Sequence, residues 1–169
     1  MSEQQIDAAA LERLLRTRFS ARKFQPRAVP RATLDQILQM AQRTPSWCNI
    51  QPWQIVMVSG APLNALRERM WQHARDGAPA SPDFVFPPNY AGAHRDRRKV
   101  CGLQLYQSLD IGKEDRAAAA EQSLENFRMF GAPHLALIFV DDYLGFYGAL
   151  DCGLYAMTLM LAAHSLGVD

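Results

Sequence analysis

Only three cysteines, Cys48, Cys101 and Cys152, occur in 169 residues. An odd count at wide spacing excludes a disulfide framework and a Cys/His zinc site. Unpaired thiols fit a reducing compartment, so a cytoplasmic location is expected. Neither sign of charge dominates: 18 Lys and Arg stand against 17 Asp and Glu, a net charge of +1. Such a chain has no overall field for nucleic acid or an anionic membrane, and neither partner is expected. A local basic site for one small anion stays open. The histidines His73, His94, His134 and His164 are scattered without metal spacing and read as surface or core residues, so no metal is expected. Residues 1–10 hold no apolar run of signal-peptide length. No internal repeat or low-complexity segment is present.

What is there suits a packed core. Hydrophobic residues make up 49% of the chain. A single domain over residues 1–169 follows from the length. Leu11, Leu14 and Leu15 recur at helical spacing and predict an amphipathic helix over residues 6–18. A second helix opens near Pro30, carries Leu34, Ile37, Leu38 and Ala41 on one face, and stops before Pro45. Gln54 to Ser59 reads as a strand between Pro52 and Gly60. Residues 62–75 read as a helix. Residues 76–98 form a long irregular insertion with four prolines and three aromatic residues. Short and longer helices are expected over 103–109 and 113–130. Residues 134–140 are nearly all apolar, the pattern of a central strand covered on both faces. Residues 147–166 form an apolar run interrupted by Asp151 and His164. This run reads as a buried helix rather than a membrane span, which needs about 20 apolar residues. Gly167 stands where a C-cap glycine belongs. Two strands make a marginal sheet. A further strand is therefore expected, from a longer chain or from a second one.

Two segments carry chemistry. In Arg18-x-Ser20-x-Arg22 alternate positions on an extended turn point one way. Two guanidiniums and a hydroxyl then suit a phosphate or a polarised carbonyl edge. A solvated basic turn is the plain alternative. In Pro45-Ser46-x-x-Asn49-x-Gln51-Pro52-Trp53 small polar groups sit on a backbone stiffened by prolines, which presents them at low ordering cost. A rigid turn feeding the strand, with Trp53 as core anchor, explains the same residues. The basic run Arg95 to Lys99 reads as a solvated face or as an attractor for NADPH phosphates. Cys48 has no neighbouring His or C-x-x-C partner and is not read as a catalytic thiol.

In this order and spacing, the two segments resemble the nitroreductase family of FMN flavoproteins. The R-x-S-x-R-x-F turn, the Val29-Pro30 helix start and the P-S-x-x-N-x-Q-P-W loop all stand at matching places. The stretch FRMFGAP (127–133), the strand after it and the apolar helix ending at Leu166-Gly167 match too. The Pro87-Pro88-Asn89-Tyr90 insertion resembles a subgroup that includes nitrobenzoate-reductase-like enzymes. The resemblance implies an α+β fold: an α/β/α sandwich with a central, mainly antiparallel sheet flanked by helices, built as an intertwined homodimer. It implies further that the C-terminal strand or strands of the family lie beyond this chain. FMN would lie at the dimer interface. Arg18, Phe19, Ser20 and Arg22 would come from one subunit, and Pro45, Ser46, Trp47 and Asn49 from the other. Asn126 and Arg128 are further candidates from a looser match.

The implied activity is reduction of nitroaromatic, quinone or related acceptors by ping-pong hydride transfer, with NADH or NADPH as co-substrate. No side chain need act as nucleophile, because the flavin carries the hydride. A fixed cation near the flavin's pyrimidine edge stabilises its reduced form. The family often has small polar residues at the positions of Trp47 and Cys48; Trp47 would stack on a substrate or narrow the pocket. Two alternatives follow from the same residues. One is a flavin enzyme of this fold with other chemistry, such as reductive dehalogenation. The other is a truncated, inactive flavin-binding or dimerisation module.

Overall fold

The computed structural model describes residues 7–169. Ile6, expected to begin the first helix, lies outside them. Where length predicts one domain, contacts divide the chain into two compact units. The first holds residues 7–64 and 131–169, the second residues 65–130.

In the first unit, α1 (Ala8–Thr17) opens on Asp7, whose carboxylate accepts the backbone N–H groups of Ala9 and Ala10 at 3.0 and 3.2 Å. That bonding satisfies donors that a helix start leaves unpaired. α2 (Arg31–Ala41) starts directly after Pro30, whose fixed φ suits a helix entry. β1 (Gln54–Ser59) and β2 (His134–Phe139) form an antiparallel two-stranded sheet with Gln54 opposite Phe139 and Ser59 opposite His134. α6 (Gly145–Ser165) ends in a Schellman motif. Gly167 takes φ +72°, its N–H bonds the His164 carbonyl, and the Val168 N–H reaches back to Ala163.

The core of this unit is Ala41, Trp53 and Tyr155, packed against Ile55, Ile138, Cys152 and Leu159. The Trp53 and Tyr155 rings lie 4.9 Å apart. One sheet face, carrying Ile55 and Ile138, thus meets α2 and α6. The other face leaves Val56 and Phe139 exposed while Leu135 and Leu137 are half-buried, so β2 is covered in part on both faces, short of the full burial its composition predicts. α6 departs from expectation in the same way. It buries Gly148, Asp151, Tyr155 and Ala162 but exposes Leu150, Leu154 and Met160. By length and composition alone, residues 142–165 would also be long and apolar enough to cross a membrane.

α3 (Gly60–Arg75) begins in the first unit and continues into the second. α4 runs from Gly92 to Ser108. The irregular insertion therefore ends at Ala91 instead of Arg98, and the helix expected over 103–109 is the end of a longer one. α4 is polar on nearly every side, so no apolar stripe marks its start. α5 is confined to Arg116–Leu124, with Asp115 capping it by accepting the Ala118 N–H at 2.9 Å. The helix expected over 113–130 ends at Leu124; residues 125–128 continue as turns whose N–H groups bond three residues back, and Met129 and Phe130 then adopt left-handed φ of 50° and 51°.

Candidate functional site

The basic segment begins where α1 ends. Arg18 leaves the helix in an extended conformation, φ −63° and ψ 132°, and residues 18–29 run on without regular structure. Both ends of this stretch are pinned by histidines. The Thr17 hydroxyl lies 2.9 Å from His164 Nε2 on α6, and His164 Nδ1 lies 2.5 Å from the Asp169 carboxylate. At the far end the Val29 N–H donates to His134 Nε2 on β2 at 2.8 Å. That bond requires a lone pair on Nε2 and so fixes the neutral tautomer with its proton on Nδ1. Between the pins, Phe19, Ser20 and Arg22 are exposed and Arg18 is half-buried. One Arg22 nitrogen donates to the Ala21 carbonyl at 3.0 Å.

The second segment is held by a chain of amides. Trp53 Nε1 donates to Gln42 Oε1 at 3.1 Å, and Gln42 Nε2 donates to Gln51 Oε1 at 2.9 Å. Gln51 Nε2 in turn donates to Asn49 Oδ1 at 3.0 Å, while the Gln51 N–H donates to the Ser46 hydroxyl at 2.9 Å. With its oxygen engaged, Asn49 offers its amide –NH2 to a ligand. Within the loop, Trp47–Asn49 form one 3-10 turn, and Cys48, Asn49 and Gln51 all take positive φ. Pro45 and Asn49 are exposed and Ser46 is half-buried. Trp47 is 58% exposed, its ring 5.1 Å from that of Tyr147. The Trp47 N–H points at both carboxylate oxygens of Asp151, at 3.1 and 3.2 Å. Next to Asp151, the Cys152 thiol is pushed up from its usual pKa, first by burial and then by the Asp151 charge.

Both segments therefore tie to α6, one at His164 and the other at Asp151. Thirteen residues separate these anchors, a helical rise of about 20 Å. From sequence, Asp151 reads only as a break in an apolar run and the histidines as surface or core residues. The available signal was the lone carboxylate itself, since a buried charge needs a partner. Asn126 and Arg128 fall in the second unit and are engaged there. Asn126 Nδ2 donates to the Ser123 carbonyl. Arg128 bonds Glu125 at 2.9 Å, lies 3.8 Å from Glu121, and stacks its guanidinium 4.2 Å from the Trp71 ring centre. No cluster able to hold a metal ion occurs among the described residues.

The donor set suits a flavin nucleotide. The basic segment offers guanidiniums and a hydroxyl to a phosphate or a polar ring edge. The loop offers an amide donor, and Phe19 and Trp47 are exposed flat rings.

Comparison with known proteins agrees. The Nitroreductase family model matches residues 15–169. Nitroreductase NfnB of Mycolicibacterium smegmatis is 34% identical over 163 residues, covering 95% of this chain and 69% of its own. A 4-nitrobenzoate reductase of Pseudomonas putida is 35% identical over 153 residues, 90% of this chain and 67% of its own. The crystal structure of the FMN-dependent nitroreductase NfnB from Mycobacterium smegmatis in complex with NADPH superposes with a TM-score of 0.88, covering 95% of this chain and 72% of that one. The FMN and NADPH-dependent NfnB from Sphigopyxis sp. strain HMH gives a TM-score of 0.86 at 32% identity, covering 92% of this chain and 71% of that one.

Proposed function

The chain belongs to the nitroreductase family, and from that premise we propose that it is an FMN-dependent oxidoreductase that uses NAD(P)H to reduce nitroaromatic compounds. Quinones and related acceptors are a wider range that the same flavin would serve. FMN, when bound, would supply the two-electron redox chemistry between nicotinamide and acceptor. The chain's own residues bind and orient. Arg18 and Arg22 hold negative charge, at the phosphate or the pyrimidine edge, and Ser20 adds a hydroxyl donor. Asn49 donates from the loop, Pro45 and Ser46 set its backbone, and Phe19 and Trp47 shield the ring from water. Arg128 and Asn126 are engaged within their own unit and rank below these.

The site is built from two copies of the chain. Support comes from the anchors about 20 Å apart on α6, which separate the two segments of one copy. The exposed apolar residues Leu150, Leu154 and Met160 on the same helix are suited to cover by a partner. The two units are parts of one nitroreductase-like domain, since the family match runs through both. Three free cysteines suit the cytoplasm.

The observation that carries this reading is the pair of segments at family positions with donors exposed. The test is an absorbance spectrum of purified protein after incubation with FMN and desalting, followed by NAD(P)H oxidation with 4-nitrobenzoate as acceptor. A retained flavin band and acceptor-dependent turnover are expected. A colourless protein without turnover would overturn it.

A further inference from the structure

We infer that Asp151 is a positioning residue whose buried carboxylate, by accepting the Trp47 N–H, locks the Pro45-to-Gln51 loop in its ligand-ready shape. The inference rests on the FMN reading for what the loop does, and on geometry for the lock itself. Asp151 is 2% exposed and sits in the second turn of α6, the most apolar helix among the described residues. A carboxylate is costly there unless hydrogen-bonded. Its bonding runs to the loop, 104 residues away in sequence, with both oxygens on one N–H. One turn earlier on the same helix face, Tyr147 stacks on the Trp47 ring. α6 thus grips residue 47 by backbone and by side chain.

The residues that follow need such a grip. Cys48 adopts φ 48° and ψ 22°, and Asn49 φ 57°. Left-handed non-glycine residues persist only where their surroundings over-determine them. Released from Asp151, the loop would populate relaxed conformers, and a ligand would have to reorder it on binding. Apparent affinity falls in proportion to the competent fraction.

The experiment compares wild type with Asp151→Leu, which removes the acceptor, and Asp151→Asn, which keeps an acceptor oxygen. Two quantities are read: hydrogen exchange of the Trp47 amide in FMN-free protein, and the FMN dissociation constant from flavin fluorescence quenching. The Trp47 amide is expected to be protected in wild type and unprotected in Asp151→Leu. The dissociation constant is expected to rise about ten- to a hundredfold in Asp151→Leu, the loss typical of a hydrogen bond to a charged group. Asp151→Asn should recover most of both. A freely exchanging Trp47 amide in folded wild type would overturn the lock. So would a folded Asp151→Leu with unchanged FMN affinity. If Asp151→Leu does not fold, Asp151→Ala takes its place: its Trp47 amide must exchange faster than that of wild type and of Asp151→Asn, and exchange equal to wild type rejects the lock. If wild type binds no FMN, the functional reading fails, while the amide measurements still judge the lock.

Discussion

Gly148 is the position where the structure reverses a sequence rule. It lies in the first turns of α6 and is buried. Replacing a helical glycine by alanine ordinarily stabilises by about 0.5–1 kcal/mol, through lower backbone entropy in the unfolded chain. A Cβ at Gly148, however, would stand 2.8 Å from Val140 Cγ2 and 2.9 Å from Leu144 Cβ. Ordinary carbon contacts are about 3.5–4.0 Å, so both are overlaps. Neither neighbour yields easily. Valine is stiff at χ1, and Leu144 Cβ is bonded directly to the backbone of the turn that leads into the helix. Relief requires α6 to shift against the connection from β2. Overpacking of this kind costs about 1–3 kcal/mol. The net expectation for Gly148→Ala is a loss of about 1 kcal/mol, within a range of about 0–2.5.

Gly102 supplies the control. It sits inside α4, and a Cβ there meets nothing within 4 Å. Gly102→Ala should therefore gain about 0.5–1 kcal/mol. Thermal unfolding followed by circular dichroism, with urea unfolding as a second probe, separates the two. At about 2–4 °C per kcal/mol for a chain of this size, the melting points should move in opposite directions. Equal stabilisation by both substitutions would refute the packing argument at the α6 start.

Other expectations follow from the contacts around the site. Arg22→Gln keeps a donor but removes the charge, and should weaken FMN binding by about 1–3 kcal/mol; titration with FMN checks it. Trp53→Phe deletes the donor that orients Gln42, and should cost about 1–3 kcal/mol of stability by urea unfolding. His134→Ala leaves the half-buried Val29 N–H without its acceptor and should cost about 1–2 kcal/mol in the same assay. Cys152 and Tyr155 both titrate above their ordinary values of 9.0 and 10.0, Cys152 through burial and the Asp151 charge, Tyr155 through burial. Folding holds these protons, so their stabilisation is full below about pH 9 and is lost as pH rises through the raised values. Urea midpoints should fall as the pH rises above about 9, and Cys152→Ala should flatten the early part of that fall.

Chemistry local to the chain made part of this protein legible in advance. β1 spans the six residues between Pro52 and Gly60 that its β-rich run predicts. Pro30 and Pro45 bracket α2, because proline restricts both its own φ and the residue before it. Gly167 takes the left-handed cap that its place after an apolar helix demands. The two candidate segments, Arg18 to Phe24 and Pro45 to Trp53, stand out by residue type and spacing, and their joint order carries the family resemblance. α4 does not, because a helix that is polar on nearly all sides has no period to read. The left-handed turn at Met129 and Phe130 is equally silent, since neither residue favours such a backbone.

Tertiary structure alone assigned the partners. Asp151 finds the Trp47 N–H across 104 residues, and Val29 finds His134 across 105. No local propensity encodes such pairs. They arise when α6 and β2 are packed beside the loops and each half-buried polar group must find a donor or an acceptor. Residue types and spacings specified which groups could bind a flavin; packing decided which backbone they stand on and what holds it still.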